Sequence, residues 1–414
     1  MDQPSFGLGR TDLITSKTDE KSRRLVDAYK EYIGKAVRLF NSDGDESVLK
    51  EKVDQLVEFE IKLANLSTAP EDRRDHFAIT YKTTFDQLST EVPDFDWFDL
   101  LDTLYKRVAP SFKLKKGMSV IVNDLKYLKG LSMLLKELSI KSDNDLIANY
   151  LGWRYVQSNG YLTTDEFRKI EFEFDRVQKG VQKETKMTER CVNVLSNILP
   201  QVVGRVYVDN YFTEESKSAA EEIIKNVLEN YVSEINKKDW MDPETKSKSL
   251  EKTSKLKINT GYPSWIKDDE EMNRMYRFGE EADVEKAFEA MKRISQVVVR
   301  NMYSKLGDEV DKEKEWPMGP AIVNAAYDPS QNSITIPAAI LQLVFFNESR
   351  PGYLNYGAIG AVIGHEIGHG FDDEGSQYDA NGNLDNWWTN NTKDGFNEKA
   401  KCFIDQYSSI VDDR

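Results

Sequence analysis

The chain has little of what most often betrays a function. Three histidines and two cysteines occur in 414 residues. No apolar run approaches the roughly 18 residues of a membrane-spanning helix, so a span of that kind is excluded. Positive charge is the minority: 56 Lys and Arg stand against 71 Asp and Glu, a net charge of −15. That balance argues against nucleic acid as a partner and against anionic membrane surfaces. The opening residues Met1-Asp2-Gln3-Pro4 have neither a basic start nor an apolar stretch, so no signal peptide is expected there. Two cysteines, Cys191 and Cys402, are an ordinary count for a cytosolic protein.

What is present is a long series of charged amphipathic segments, extending to about residue 310. Leu25, Ala28, Tyr29, Tyr32, Ile33, Ala36, Val37 and Phe40 keep helical spacing, as do Leu49, Val53, Leu56 and Leu63. Ala219, Ile223, Ile224, Val227, Leu228 and Tyr231 repeat the pattern, so each segment buries one stripe. Strand-like residues concentrate at Ser333 to Ile336, bounded by Asn332 and Pro337. The run Asp308-Glu309-Val310-Asp311-Lys312-Glu313-Lys314-Glu315 reads as solvated, and Pro317 prevents a helix from continuing through it. A mainly α protein is expected, with a helical lobe over 1–315 and a second region over 316–414.

That second region carries Gly364-His365-Glu366-Ile367-Gly368-His369-Gly370-Phe371-Asp372-Asp373, with two of the three histidines four residues apart. Chance would supply such a pattern in on the order of one chain in several hundred with so few histidines. On a helix both imidazoles lie on one face and can reach one cation, the His-Glu-x-x-His arrangement of zinc peptidases. His365 and His369 would then bind Zn2+ as neutral imidazoles. Glu366 would be the general base, taking a proton from a water the metal polarises. Asp372, three residues after His369, is placed to receive its ring N–H and fix the tautomer. Residues 355–363 read as an apolar helix rich in Gly and Ala, so the motif is expected on a buried, closely packed helix. Without a metal, two buried histidines would need other partners.

A catalytic zinc needs a third protein ligand. A histidine six residues after the second is one solution, but Gly375 stands there. His76 lies far upstream in the polar stretch Glu71-Asp72-Arg73-Arg74-Asp75-His76. Downstream, Glu374 is close to the motif, whereas Glu398 could sit on a following helix beside Lys399 and Lys401, an exposed face.

Several further segments resemble the catalytic core of the neprilysin and endothelin-converting-enzyme family of zinc endopeptidases. They are Val323-Asn324-Ala325-Ala326-Tyr327, Asn332 to Gln342, Phe345-Phe346, Leu354 to Gly360, the histidine motif, and Asp379 to Trp388. Weaker matches at Asp2 to Gly9, Leu151 to Arg154, Val203 to Val208, Trp240 to Lys246 and Gly261 to Pro263 extend the resemblance over nearly the whole chain. The resemblance implies a helical lobe facing a thermolysin-like zinc lobe across an enclosed cavity that admits only small peptides. It implies that Asn324 and Ala325 grip the substrate main chain as an edge strand does. Ile340, Phe345 and Val362 would line the pocket for the residue after the cleavage point, their plain alternative being core packing. Leu343-Val344 and Ala361 depart from the family's usual residues, leaving the side-chain preference open.

The family takes its third zinc ligand from a downstream Glu-Asn-x-x-Asp segment, which does not occur before Arg414. The chain is therefore expected to be an internal piece of a longer protein, with any anchor or secretion signal outside it. The resemblance also implies an extracellular enzyme whose Cys191 and Cys402, on opposite sides of the expected lobe boundary, pair with cysteines outside this chain. Sequons at Asn65, Asn347 and Asn390 are compatible with secretion. The reading is thus a zinc metalloendopeptidase cutting oligopeptides on the amino side of apolar residues. The alternative is a non-catalytic ectodomain that binds a peptide or a partner; an intact base beside the metal pair favours the enzyme.

Overall fold

The computed structural model describes residues 1–140, 144–276, 286–311 and 314–411. Lys312 and Glu313 of the charged run, and Arg414, lie outside the described residues. Two compact units are formed. One is Met1–Met187 with Phe278–Leu306; the other is Thr188–Arg277 with Gly307–Arg414. This differs from a single boundary between 315 and 316, because residues 188–277 supply a strand and helices to the second unit's core. It also puts Cys191 and Cys402 in the same unit rather than in different lobes; both are free and exposed.

The first unit is mainly helical, as its periodicity implies. Helices α1 (Glu20–Phe40) and α2 (Glu46–Leu66) begin at Asp19 and Asp45, whose carboxylates accept the N–H groups of Ser22 and Ser47. Such caps satisfy donors that the first helical turn leaves unpaired. α1 buries Leu25, Tyr29, Tyr32, Ile33 and Ala36 along one stripe. Against it pack α3 (Asn144–Asn159) and α4 (Asp165–Lys179), where Tyr32 stacks on Phe174 at 5.1 Å and meets Trp153 edge-on. The same unit holds a two-stranded antiparallel sheet, β1 (Thr80–Thr84) with β2 (Ser119–Asn123).

The second unit is built round a three-stranded sheet. β3 (Lys257–Gly261), β4 (Ala326–Asp328) and β5 (Ser333–Pro337) lie in the order β3-β5-β4. β3 runs parallel to β5 with Ile258 opposite Ile334, and β4 runs antiparallel with Tyr327 opposite Ile334. β5 is central and every residue of it is buried, which accounts for its apolar alternation of Ile334 and Ile336. Its other face is polar but satisfied in part by Asn259, whose amide donates to the Thr335 hydroxyl at 3.1 Å. Helices α5 (Glu214–Lys237) and α7 (Ile359–His369) pack on the sheet, α6 (Pro243–Ser254) packs on α5, and α8 (Asn390–Ser408) follows.

Candidate metal centre

The motif helix α7 divides its residues by the 3.6-residue period. Ile359, Ile363 and Ile367, four apart, are buried against Ile223, Ile224, Ile334 and Ile336. Ala361, His365 and His369, also four apart, form an exposed stripe on the same helix. One periodicity therefore anchors the helix in the core and presents both imidazoles outward. The expected burial of the histidines is corrected here; the helix is buried, and its metal-facing stripe is not. Nor is the apolar stretch before the motif one helix. It breaks at Ala358, with a short helix Gly352–Gly357 ahead of α7.

His365 Nε2 and His369 Nε2 stand 3.0 Å apart. Two nitrogens each ~2.0–2.1 Å from one tetrahedral zinc would be about 3.3 Å apart, so the pair fits the bite of one cation. On the far side of the His369 ring, Nδ1 lies 2.8 Å from Asp372 Oδ2. With Nδ1–H donating to that carboxylate, Nε2 keeps its lone pair for a metal. Asp372 is itself held, since its Oδ1 accepts the backbone N–H groups of Glu374 at 3.0 Å and Gly375 at 2.8 Å. Glu366 is buried at 6% exposure, one residue round the helix from His365.

The other sequence candidates fall as follows. Asn324 and Ala325 lead directly into β4, one of the two outer strands of the sheet, which packs on α7. Asn324 is exposed, and its own Oδ1 accepts the N–H of Ala325 at 2.9 Å. Ile340 is buried in the core beneath α7, with Phe345 and Val362 half-buried against the same cluster. Phe345 is further tied to α7 by its carbonyl, which accepts the N–H of Ile359. His76 is in the first unit, on the short helix His76–Ile79. Glu398 is exposed on α8, and among the described residues no group of three or more His, Cys, Asp or Glu side chains is arranged to hold a metal.

Gly375, where a third histidine would stand in another peptidase class, cannot carry any side chain here. A β-carbon on it would sit 1.8 Å from the carbonyl oxygen of His369. The turn after α7 is closed on that contact.

Lys252 and Arg350, which sequence reasoning passed over, and Asn332, read there only as a strand boundary and family match, organise the surroundings. Lys252, 1% exposed, donates from Nζ to the carbonyls of Gly375 at 2.7 Å and Tyr378 at 2.6 Å. Burial pushes its ammonium down to about 7, against the opposing pull of Asp379 and Asp372. Asn332, also buried, donates to the carbonyls of Lys252 and Ala380 and accepts from the Tyr327 hydroxyl. Arg350 gathers the carbonyls of Val344, Phe345 and Leu354 together with the Asn355 side chain, fixing the loop that bears Phe345. The helix carrying Lys252 buries Thr245, Ser249, Lys252 and Thr253, so hydrophobic periodicity gives no sign of it.

A fold of this kind, with a His-Glu-x-x-His helix packed on a small sheet, has known counterparts. Residues 1–263 match the N-terminal part of a family described as Peptidase family M13, and residues 324–414 match a second part of the same family. The chain belongs to peptidase family M13. It is 37% identical to Neprilysin-1 of Trittame loki over 414 residues, covering 100% of this chain and 56% of that protein. It is 32% identical to endothelin-converting enzyme 1 of Homo sapiens, covering 99% of this chain and 52% of that one. Among solved structures, Mycobacterium tuberculosis zinc metalloprotease ZMP1 in complex with inhibitor matches 99% of this chain and 59% of its own, at 31% identity and a TM-score of 0.86. PEPO from Lactobacillus rhamnosis, at 22% identity and a TM-score of 0.84, shares the fold. The chain spans about half the length of these curated relatives. No helix among the described residues is long and apolar enough to cross a membrane.

Proposed function

We propose that the protein is a zinc metalloendopeptidase that cuts oligopeptides on the amino side of apolar residues, and that this chain supplies two of its metal ligands and its general base. The observation that carries the reading is the convergence of His365 Nε2 and His369 Nε2 at 3.0 Å, with Asp372 on the opposite nitrogen of His369.

In this reading His365 and His369 hold the zinc. When bound, the ion polarises a water and the scissile carbonyl. The Glu366 carboxylate takes the proton from the attacking water and returns it to the departing amine. Its burial keeps that carboxylate out of bulk solvent. Asn324 and the main chain at Ala325 align the substrate backbone along the outer strand β4, which requires the Asn324 side chain to release the Ala325 N–H. Ile340, Phe345 and Val362 border the pocket for the residue following the cut, and their shared apolar cluster supports an apolar preference. The third ligand is assigned to the part of the protein beyond residue 414. The proposal extends to an extracellular setting, on the family relationship.

The test is hydrolysis of an N-blocked peptide with a central Phe or Leu by the whole protein. Cleavage before that residue, abolished by a chelator and restored by zinc, is expected. Chelator-resistant cleavage would overturn the reading.

A further inference from the structure

Lys252 takes no part in the chemistry described, yet it is a buried cation placed against the turn that follows the histidine helix. Its surroundings are unusual for a mere filler. Nζ lies 5.5 Å from the Trp387 ring centroid, 5.7 Å from that of Phe371 and 5.8 Å from that of Tyr327, an aromatic enclosure that favours a cation. The two hydrogen bonds it donates go to main-chain carbonyls of the turn and not to a carboxylate.

The peptide groups of Gly375 join this ammonium to the metal pair. The Gly375 carbonyl accepts from Lys252, while the Gly375 N–H donates to Asp372 Oδ1 at 2.8 Å. The other oxygen of Asp372 faces His369 Nδ1. Gly375 is thus gripped from both sides, and no side chain at this position could relax the turn, given its contact with the His369 carbonyl. Tyr378, the second carbonyl held by Lys252, also accepts from Trp387 Nε1 at 2.9 Å. On the helix side, Lys252 is fixed through its own carbonyl by Asn332 at 2.9 Å. The ends of this chain of bonds are a rigid helix and strand on one side and the ring of His369 on the other.

Burying an ammonium is costly, and an apolar residue of similar volume would commonly serve stability as well. A cation here does what an apolar residue cannot. It holds two carbonyls at once, and in its protonated form it places positive charge behind Asp372. We propose that Lys252 is a positioning residue for the metal pair, locking the 372–378 turn so that Asp372 keeps His369 in the tautomer whose Nε2 faces His365 and a divalent cation. The inference rests on the zinc reading for its purpose, but the contacts that carry it are independent of any metal.

The experiment follows from the scarcity of histidine. With three histidines in the chain, selective 15N labelling resolves the ring nitrogens of His369 in metal-free protein, assigned through His369→Gln. The variants are Lys252→Met, which removes the charge at similar length, and Lys252→Gln, which keeps an N–H donor and serves where the methionine variant does not fold. Near-UV circular dichroism confirms that tertiary packing is retained. The expected result is a His369 signal that moves from one tautomer to an averaged one, and a zinc dissociation constant, measured by chelator competition in the whole protein, weakened on the order of 10–100-fold, as for loss of other groups that orient a ligand. In an Asp372→Asn background the Lys252 substitution should add little, because both act through one carboxylate. A folded variant with lower thermal stability but an unchanged His369 tautomer and unchanged zinc affinity would make Lys252 a structural residue only and overturn the proposal. Failure of the unaltered whole protein to bind zinc, with the tautomer response intact, would instead overturn the metal reading.

Discussion

Gly375 lies so close to His369 that a β-carbon on the glycine would fall 1.8 Å from the histidine's carbonyl oxygen. The contact is with backbone at the end of the metal-facing helix, so it cannot be relieved by a side-chain rotation.

Gly375→Ala should therefore displace the turn that carries Asp372. Overpacking of this kind costs about 1–3 kcal/mol, and more where backbone must move. A lower thermal midpoint together with weaker zinc binding is expected. Full zinc affinity in a folded Gly375→Ala protein would show that the turn can shift without disturbing His369.

A pH dependence follows from Asp242, which caps α6 through the Thr245 N–H and also accepts from the hydroxyls of Thr389 and Thr392 at the start of α8. The Thr245 N–H, followed by the Thr389 hydroxyl, holds its carboxyl at about 2, below the ordinary 3.8. A folded-state value below the unfolded one means stability that is fully present above about pH 4 and is lost as pH falls towards 2. Asp242→Asn should lower the thermal midpoint at pH 6 and flatten its fall between pH 4 and pH 2 relative to the unaltered protein. Parallel curves for the two proteins over that interval would contradict the assignment.

The motif was legible because its chemistry is local. His365 and His369 lie one helical turn apart, where spacing alone dictates a shared face, and Glu366 and Asp372 stand within three residues of them. The strand at Ser333 to Pro337 was legible for a similar reason, its apolar alternation being bounded by Asn332 and a proline. Lys252 was not, because it reaches Gly375 across 123 residues and sits on a helix whose buried face is largely Thr and Ser. The unit boundary was missed because β3 pairs with β5 across 76 residues, and parallel pairing leaves no mark in local composition. The exposure of the histidines was misjudged because a run of Gly, Ala and Ile marks the buried stripe of α7 without revealing that residues 361, 365 and 369 form a separate one.

Ligand count gives a prediction for the 414-residue chain itself. Two imidazoles leave half of a tetrahedral shell to water, and affinity depends on ligand number. With no third group among the described residues, the chain should lose zinc on dialysis, and Glu398→Ala should change nothing. Zinc held at one equivalent through dialysis, and released by Glu398→Ala, would place the third ligand on α8.

The central claim is that His365 and His369 hold the metal while Glu366 moves the proton. The most direct measurement is zinc content and peptide hydrolysis, side by side, for His365→Ala and Glu366→Gln in the whole protein. His365→Ala should lose both. Glu366→Gln should keep its zinc and lose cleavage by ~10²–10⁴-fold or more, because a base is removed and a ligand is not. Zinc lost together with activity in Glu366→Gln, or cleavage surviving in either variant, would contradict the account.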